Sequence, residues 1–135
     1  MAVFLNNGCY VSIATVNLSD HVASVTVNQN FDEVETTAMT ATGHTFIKGL
    51  ESPSITIDFF NDTAAASVLA TLQTNYGSVV AFEVRNGQGI ASPTNPKYTG
   101  SVLINKLTPV NGKVTDMSMQ SLTLTVSGAI TYATA

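Results

Sequence analysis

The sequence predicts a mainly β fold, a β-sandwich or barrel with one flanking α-helix and a long inter-strand loop. Three observations predict it. Apolar and polar residues alternate with a period of two through most of the chain. One segment alone has helical period. Connections rich in Gly, Pro and Asn separate these runs.

Along the chain, "CYVSIATV" (9–16) reads as the first strand. "VASVTVN" sets Val25 and Val27 against Ser24 and Thr26. Alternation of this kind, rich in β-branched residues, places one strand face in a core and the other in a wetter environment. "FDEVETTA" (31–38) is a weaker candidate. "SITIDFF" sets Ile55, Ile57 and Phe59 against Thr56, Asp58 and Phe60. "SVVAFEVR" does the same with Val80, Phe82 and Val84, and "SLTLTVSG" with Leu122, Leu124 and Val126. "YTGSVLINKL" (98–107) adds one more strand.

The helical segment is "NDTAAASVLATLQTNYG" (61–77), with Ala65, Val68, Leu69, Leu72 and Tyr76 on one stripe at three- and four-residue steps. Asn61 or Asp62 is placed to cap its first turn, and Gly77 stands where a left-handed cap stops it. "VNGK" (110–113) has the Asn-Gly chemistry of a tight hairpin turn. "NGQGIASPTNPK" (86–97) reads as an exposed loop. From about Thr37 to Pro53 no period is sustained. A connection of about 15 residues without an element is usually functional or disordered.

At 135 residues the chain fits one domain, 1–135, able to bury most of its unfolded surface. Charged residues make up only 10%, against about 25% in ordinary soluble domains. The surface must therefore be Thr, Ser, Asn and small apolar groups, which suits one covered by neighbours. Net charge is −4, and the five basic residues, Lys48, Arg85, Lys97, Lys106 and Lys113, are scattered. Gripping a phosphate backbone needs clustered cations, so tight nucleic-acid binding is not expected. A mildly negative surface instead lets DNA pass without sticking.

Cys9 is the single cysteine, which rules out an internal disulfide and a thiolate cluster and reads as a small core residue. The start "MAVFLNNGCYVSIATV" has no basic region and its apolar run is broken at Asn6, Asn7 and Gly8, unlike a signal peptide. No apolar run approaches the roughly 18 residues of a membrane span. The expectation is a soluble protein made in a cytoplasm, where the sequons at Asn17 and Asn61 carry no glycan.

The stretch "FDEVETTAMTATGHTFIKGL" (31–50) gathers Asp32, Glu33, Glu35, His44 and Lys48. As catalytic or metal-binding chemistry it is weak. Glu33 and Glu35 share a strand face while Asp32 points to the other, and His44 lies on a different local element. Two histidines, His21 and His44, lack metal-ligand spacing. No nucleophile elbow or phosphate loop is present. The chain reads as a non-enzyme with no cofactor and no metal. Met39, Phe46, Ile47 and Leu50 remain to be explained, because a loop over bare surface gains nothing from large apolar groups. They either fold back on the core or dock on another subunit.

With these residues placed, the chain resembles the tail-tube (major tail) proteins of long-tailed, non-contractile bacteriophages. The resemblance is carried by "LSDHVASVTVNQNFDEVETTAMTATGHTFIKGLESPSITIDFFNDTAAASVLATL", then "AFEVR", "NPKYTGSVLINKLTPV" and "LTLTVSGAIT", spanning roughly 18 to 131. The order of segments carries it: a Leu-Ser-Asp-His-Val opening, an acidic strand, a Gly-Leu turn, an alternating strand, an alanine-rich helix and an Asn-Pro-x-Tyr-x-Gly strand. With no added C-terminal domain expected after "VSGAITYATA", the chain would be a minimal tube subunit.

The resemblance implies a β-sandwich with one helix, assembling as hexameric rings whose inner strands join into a shared barrel. Rings stack into a virion tail tube that encloses a tape-measure protein and conducts DNA at ejection. Its partners are then other copies of itself, the tape-measure protein, the tail terminator and distal tail proteins, with DNA only in transit and no membrane. It would be made in the host bacterial cytoplasm. By position, Thr37, Met39, Thr42, His44, Phe46, Ile47 and Lys48 fall on the family's ring-stacking loop. Glu33, Glu35, Asp58 and Glu83 are the candidates for a lumen-facing lining. On that assignment, reversing Glu33 and Glu35 to lysine slows ejection while tubes still form. The alternatives are a capsid decoration or head-tail connector β-protein of a phage, which for decoration means trimers, and a small monomeric binding sandwich.

Overall fold

A computed structural model describes residues 8–64 and 67–135. The chain is mainly β with a single helix among the described residues. In order the elements are β1 (Tyr10–Ile13), β2 (Val16–Asn17), β3 (Val22–Asn28), β4 (Phe31–Glu35), β5 (Phe46–Glu51), β6 (Ser54–Phe60), α1 (Val68–Thr74), β7 (Val79–Arg85), β8 (Lys97–Leu103) and β9 (Met119–Ala133). Seven strands form one sheet in the order β2-β1-β7-β8-β9-β6-β3, curled into a half-barrel. β4 and β5 make a separate two-stranded sheet. Every pairing is antiparallel.

The alternation read from the sequence is the alternation of burial. On β6, Ile55, Ile57 and Phe59 are buried while Ser54, Thr56, Asp58 and Phe60 are not. Leu122, Leu124 and Val126 of β9, Phe82 and Val84 of β7, Val102 of β8 and Val11 and Ile13 of β1 join the same cluster. The helix joins it through Val68 and Leu72, as does Leu18, whose N–H donates to the Val11 carbonyl of β1 at 2.9 Å. Burying a Phe or Ile side chain contributes roughly 1.5–3 kcal/mol each, so these positions set the stability of the sheet.

Several sequence expectations are corrected. The 9–16 segment is not one strand. Ala14 and Thr15, at φ 53° and 65°, turn the chain between β1 and β2. Positive φ at both central residues is a type I′ requirement normally met by Asn-Gly, so nothing in "IATV" announces it. The helix is seven residues long rather than spanning 61–77. Its N-cap is Ser67, Tyr76 is exposed, and Ala65 lies outside the described residues. Asp62 still organises the approach, accepting from Ala64 N–H at 2.9 Å and from Ser67 Oγ at 2.9 Å. Gly77 has φ 83° and donates to the Ile104 carbonyl at 2.8 Å, as a left-handed stop requires.

The Asn111-Gly112 pair does not make a tight hairpin. β8 ends at Leu103 and β9 begins at Met119, so the turn chemistry sits within the irregular 104–118 segment. Thr108 N–H donates to Gln120 Oε1 at 3.0 Å and Asn111 Nδ2 to the Met119 carbonyl at 2.7 Å. Side-chain anchors at the start of β9 take the place of a short turn there. Cys9 is half-buried rather than in the core. It lines a cleft of about 360 Å³ with Val25, Val27, Val84, Arg85 and Tyr98, and burial pushes its thiol above the ordinary value.

Candidate functional site

The segment expected to be a loop from Thr37 to Pro53 contains β5, and together β4 and β5 form an arm. Aperiodicity in "TAMTATGHTFIKGLES" hid the strand because the arm has no buried face to impose alternation. All five β4 residues are exposed, and β5 is exposed apart from half-buried Gly49 and Glu51. Glu33 pairs with Lys48, Val34 with Ile47 and Glu35 with Phe46, and the register shifts between Phe31 and Glu33. At the shift, a Cβ on Gly49 would lie 2.6 Å from the Asp32 carbonyl oxygen. Only glycine lets the two backbones approach so closely. At the arm's base Ser52 N–H donates to the Asn30 carbonyl at 2.9 Å.

One face of the arm carries its charges and rings. His44 Nδ1 lies 2.6 Å from Glu35 Oε2, and the His44 ring is 6.3 Å from that of Phe46. His44 therefore has the partner that its place on a different local element seemed to deny it, because the hairpin returns residue 44 beside residue 35. That contact, with a hydrogen bond from Thr37, lowers the Glu35 carboxyl below its ordinary value. Lys48 Nζ is 2.6 Å from Glu51 Oε1 and 5.7 Å from the centre of the Phe31 ring. Val34 and Ile47 pair on the opposite face. Met39 is fully exposed at 105%, and Leu50 is 82% exposed.

Of the predicted assembly residues, the structure gathers Thr37, Met39, Thr42, His44, Phe46, Ile47 and Lys48 on this arm, all exposed but half-buried Thr37. The four predicted acids are not brought together. Glu33 and Glu35 belong to the arm. Asp58 and Glu83 lie on β6 and β7, separated by β8 and β9.

Asp58 and Glu83 do share the sheet face that turns away from the core. Cross-strand register lines up Thr26, Thr56 and Thr123, then Ser24, Asp58 and Ser121. Thr56 and Thr123 hydroxyls meet at 3.2 Å, and Ser24 Oγ donates to Asp58 Oδ2 at 2.7 Å. Hydrogen bonds from Ser121 and Ser24 hold the Asp58 carboxyl below its ordinary range. Glu83 Oε2 lies 3.2 Å from Arg85 Nη1, and that guanidinium stacks 3.9 Å above the Tyr10 ring. The face is thus hydroxyl-rich, with its carboxylates tied to neighbours.

His21 also has a partner the sequence did not show: its Nε2 is 2.8 Å from Asp62 Oδ2, joining the short 3-10 turn before β3 to the approach to α1. Among the described residues no group of three or more His, Cys, Asp or Glu side chains is arranged to hold a metal ion. No helix among them is long and apolar enough to cross a membrane.

The chain shares its fold with a chain of a virion. The solved structure is described as the virion of a native gene transfer agent particle. It superposes with a TM-score of 0.75 at 14% identity, over 97% of this chain and 99% of that one. At that identity the likeness is one of fold. No family model matches the sequence, and no curated protein matches it.

Proposed function

We propose that this chain is a structural, non-enzymatic virion protein of a phage-like particle, and within it a tail-tube subunit whose hexameric rings stack. The observation that carries the reading is the near full-length fold likeness to a chain of a gene transfer agent virion. Two features of the chain support the finer role. A projecting arm exposes large apolar groups that a free monomer has no reason to keep in water. The surface is also poor in charge, with 10% charged residues, as expected of one covered by neighbours. The partners are other copies of the chain, a tape-measure protein within the tube, and the terminator and distal proteins at its ends. DNA is only a transient passenger.

In this reading the hydroxyl face contributes to the channel lining, with Asp58 and Glu83 as its carboxylates. Fixed negative groups among hydroxyls repel phosphates weakly and offer no cationic grip. Glu33 and Glu35 stand on the arm rather than on this face. Negative-stain microscopy of concentrated protein tests the proposal. Tubes or six-membered rings support it, trimers favour a decoration protein, and featureless monomers overturn it.

A further inference from the structure

We infer that Asn111 is a site of spontaneous deamidation, and that the change unpins the 104–118 segment from β9. This chemistry belongs to the single chain and does not depend on the assembly proposed above.

Asn-Gly is the pair in which this reaction is least hindered, because glycine places no Cβ beside the attacking nitrogen and its backbone turns freely. The Gly nitrogen forms a bond to the Asn Cγ, the Cγ–Nδ2 bond breaks, and ammonia leaves with the glycine proton. The product is a five-membered imide. Water opens it at either carbonyl, giving aspartate or isoaspartate. One water enters, one ammonia leaves, and nothing is oxidised. The attack needs a Gly N–H that is not already held and a backbone able to rotate toward the side chain.

The chain has three such pairs, Asn7-Gly8, Asn86-Gly87 and Asn111-Gly112, and Asn7 lies outside the described residues. The other two stand in opposite surroundings. Gly87 N–H donates to Asn95 Oδ1 at 2.9 Å, while Asn95 Nδ2 donates to the Gly87, Gly89 and Ile90 carbonyls at 3.3, 3.0 and 3.3 Å. Asn86 and Gly87 are half-buried, and Asn86 lines the cleft beside Cys9. The nucleophile of that pair is tied and its backbone is fixed. Asn111 and Gly112 are both exposed, in a stretch without helix, strand or turn. Among the described residues nothing accepts from Gly112 N–H. A Cβ on Gly112 would meet nothing within 4 Å, so no neighbour covers its nitrogen.

The nitrogen that leaves is also the anchor. Asn111 Nδ2 donates to the Met119 carbonyl at 2.7 Å. The reaction puts in its place a carboxylate, which is ionised at neutral pH and has no proton to donate. Two acceptors then face each other, and the anchor is lost. Thr108 N–H on Gln120 Oε1 and Asn61 N–H on the Ser118 carbonyl are untouched. The loosening is therefore confined to residues 109–117.

The parent protein, held at mildly alkaline pH and sampled over time by peptide mapping with isoaspartate labelling, tests the site. Asn111 should convert at least about fivefold faster than Asn86, the factor that one net hydrogen bond is worth. Gly112→Ala, which the open space there admits, should slow conversion at 111 about two- to fivefold by restricting the backbone. Asn95→Ala, which frees Gly87 N–H, should bring Asn86 toward the rate of Asn111. The unpinning is read in Asn111→Asp, whose circular dichroism should match the parent. There the Asp116 amide, which donates to the Lys113 carbonyl at 3.1 Å, should exchange about fivefold faster. Equal conversion at 86 and 111, or an Asn111 that stays intact, overturns the site. Unchanged exchange at Asp116 in Asn111→Asp overturns the unpinning.

Discussion

Replacing Gly49 with alanine separates the arm from the core. The new Cβ would stand 2.6 Å from the Asp32 carbonyl oxygen and 3.1 Å from Asp32 Cβ, where ordinary contact begins near 3.4 Å. The blocking oxygen is backbone, so β4 and β5 must part locally by about 0.8 Å. A ladder bond near 2.9 Å stretched by that amount no longer counts as a hydrogen bond. One or two such bonds, at about 1 kcal/mol each, amount to a loss of roughly 1–2 kcal/mol confined to the arm. The core holds none of the arm's residues, so the thermal midpoint should move by less than about 2 °C. Amide exchange at residues 46–51 should accelerate about tenfold, since 1.4 kcal/mol is a factor of ten. Unchanged exchange there would refute the close approach at Gly49. A midpoint drop of many degrees would show that the arm is part of the cooperative core.

Other outcomes follow from the sheet. Phe59→Ala, at a fully buried ring, should cost about 3–5 kcal/mol in denaturant unfolding. Ala14→Asn with Thr15→Gly should raise the melting temperature by a few degrees, because a β-branched Thr15 at φ 65° bears a left-handed strain of about 1–2 kcal/mol. Asp58 is depressed from the ordinary 3.8 by the Ser121 and Ser24 hydroxyls, and Glu35 from 4.5 by His44 and Thr37. Depressed carboxyls contribute stability that is present above those ordinary values and lost as pH falls through the lower folded ones. The melting temperature should therefore be level above about pH 5 and fall below about pH 4, with a shallower acid limb in Asp58→Asn.

What the sequence determined on its own was everything governed by a buried face. The Ile55-Ile57-Phe59 and Leu122-Leu124-Val126 alternations are burial written at a period of two, so the strands, the core and the Val68-Leu72 helix face were legible. Gly77 was legible because a positive φ selects glycine. The tertiary structure decided what has no such imprint. β5 is exposed on both faces and shows no alternation. The Ala14-Thr15 turn is held by the pairing of β1 with β2 rather than by turn chemistry. Asn111-Gly112 carried that chemistry, yet the chain spent it inside a longer segment pinned by Gln120 and Asn111. The His44–Glu35 contact exists because the β4–β5 hairpin closes, and the His21–Asp62 contact joins residues far apart in sequence. The division of four acids between the arm and the hydroxyl face was likewise fixed by strand order, because spacing along a chain carries no record of which strands become neighbours.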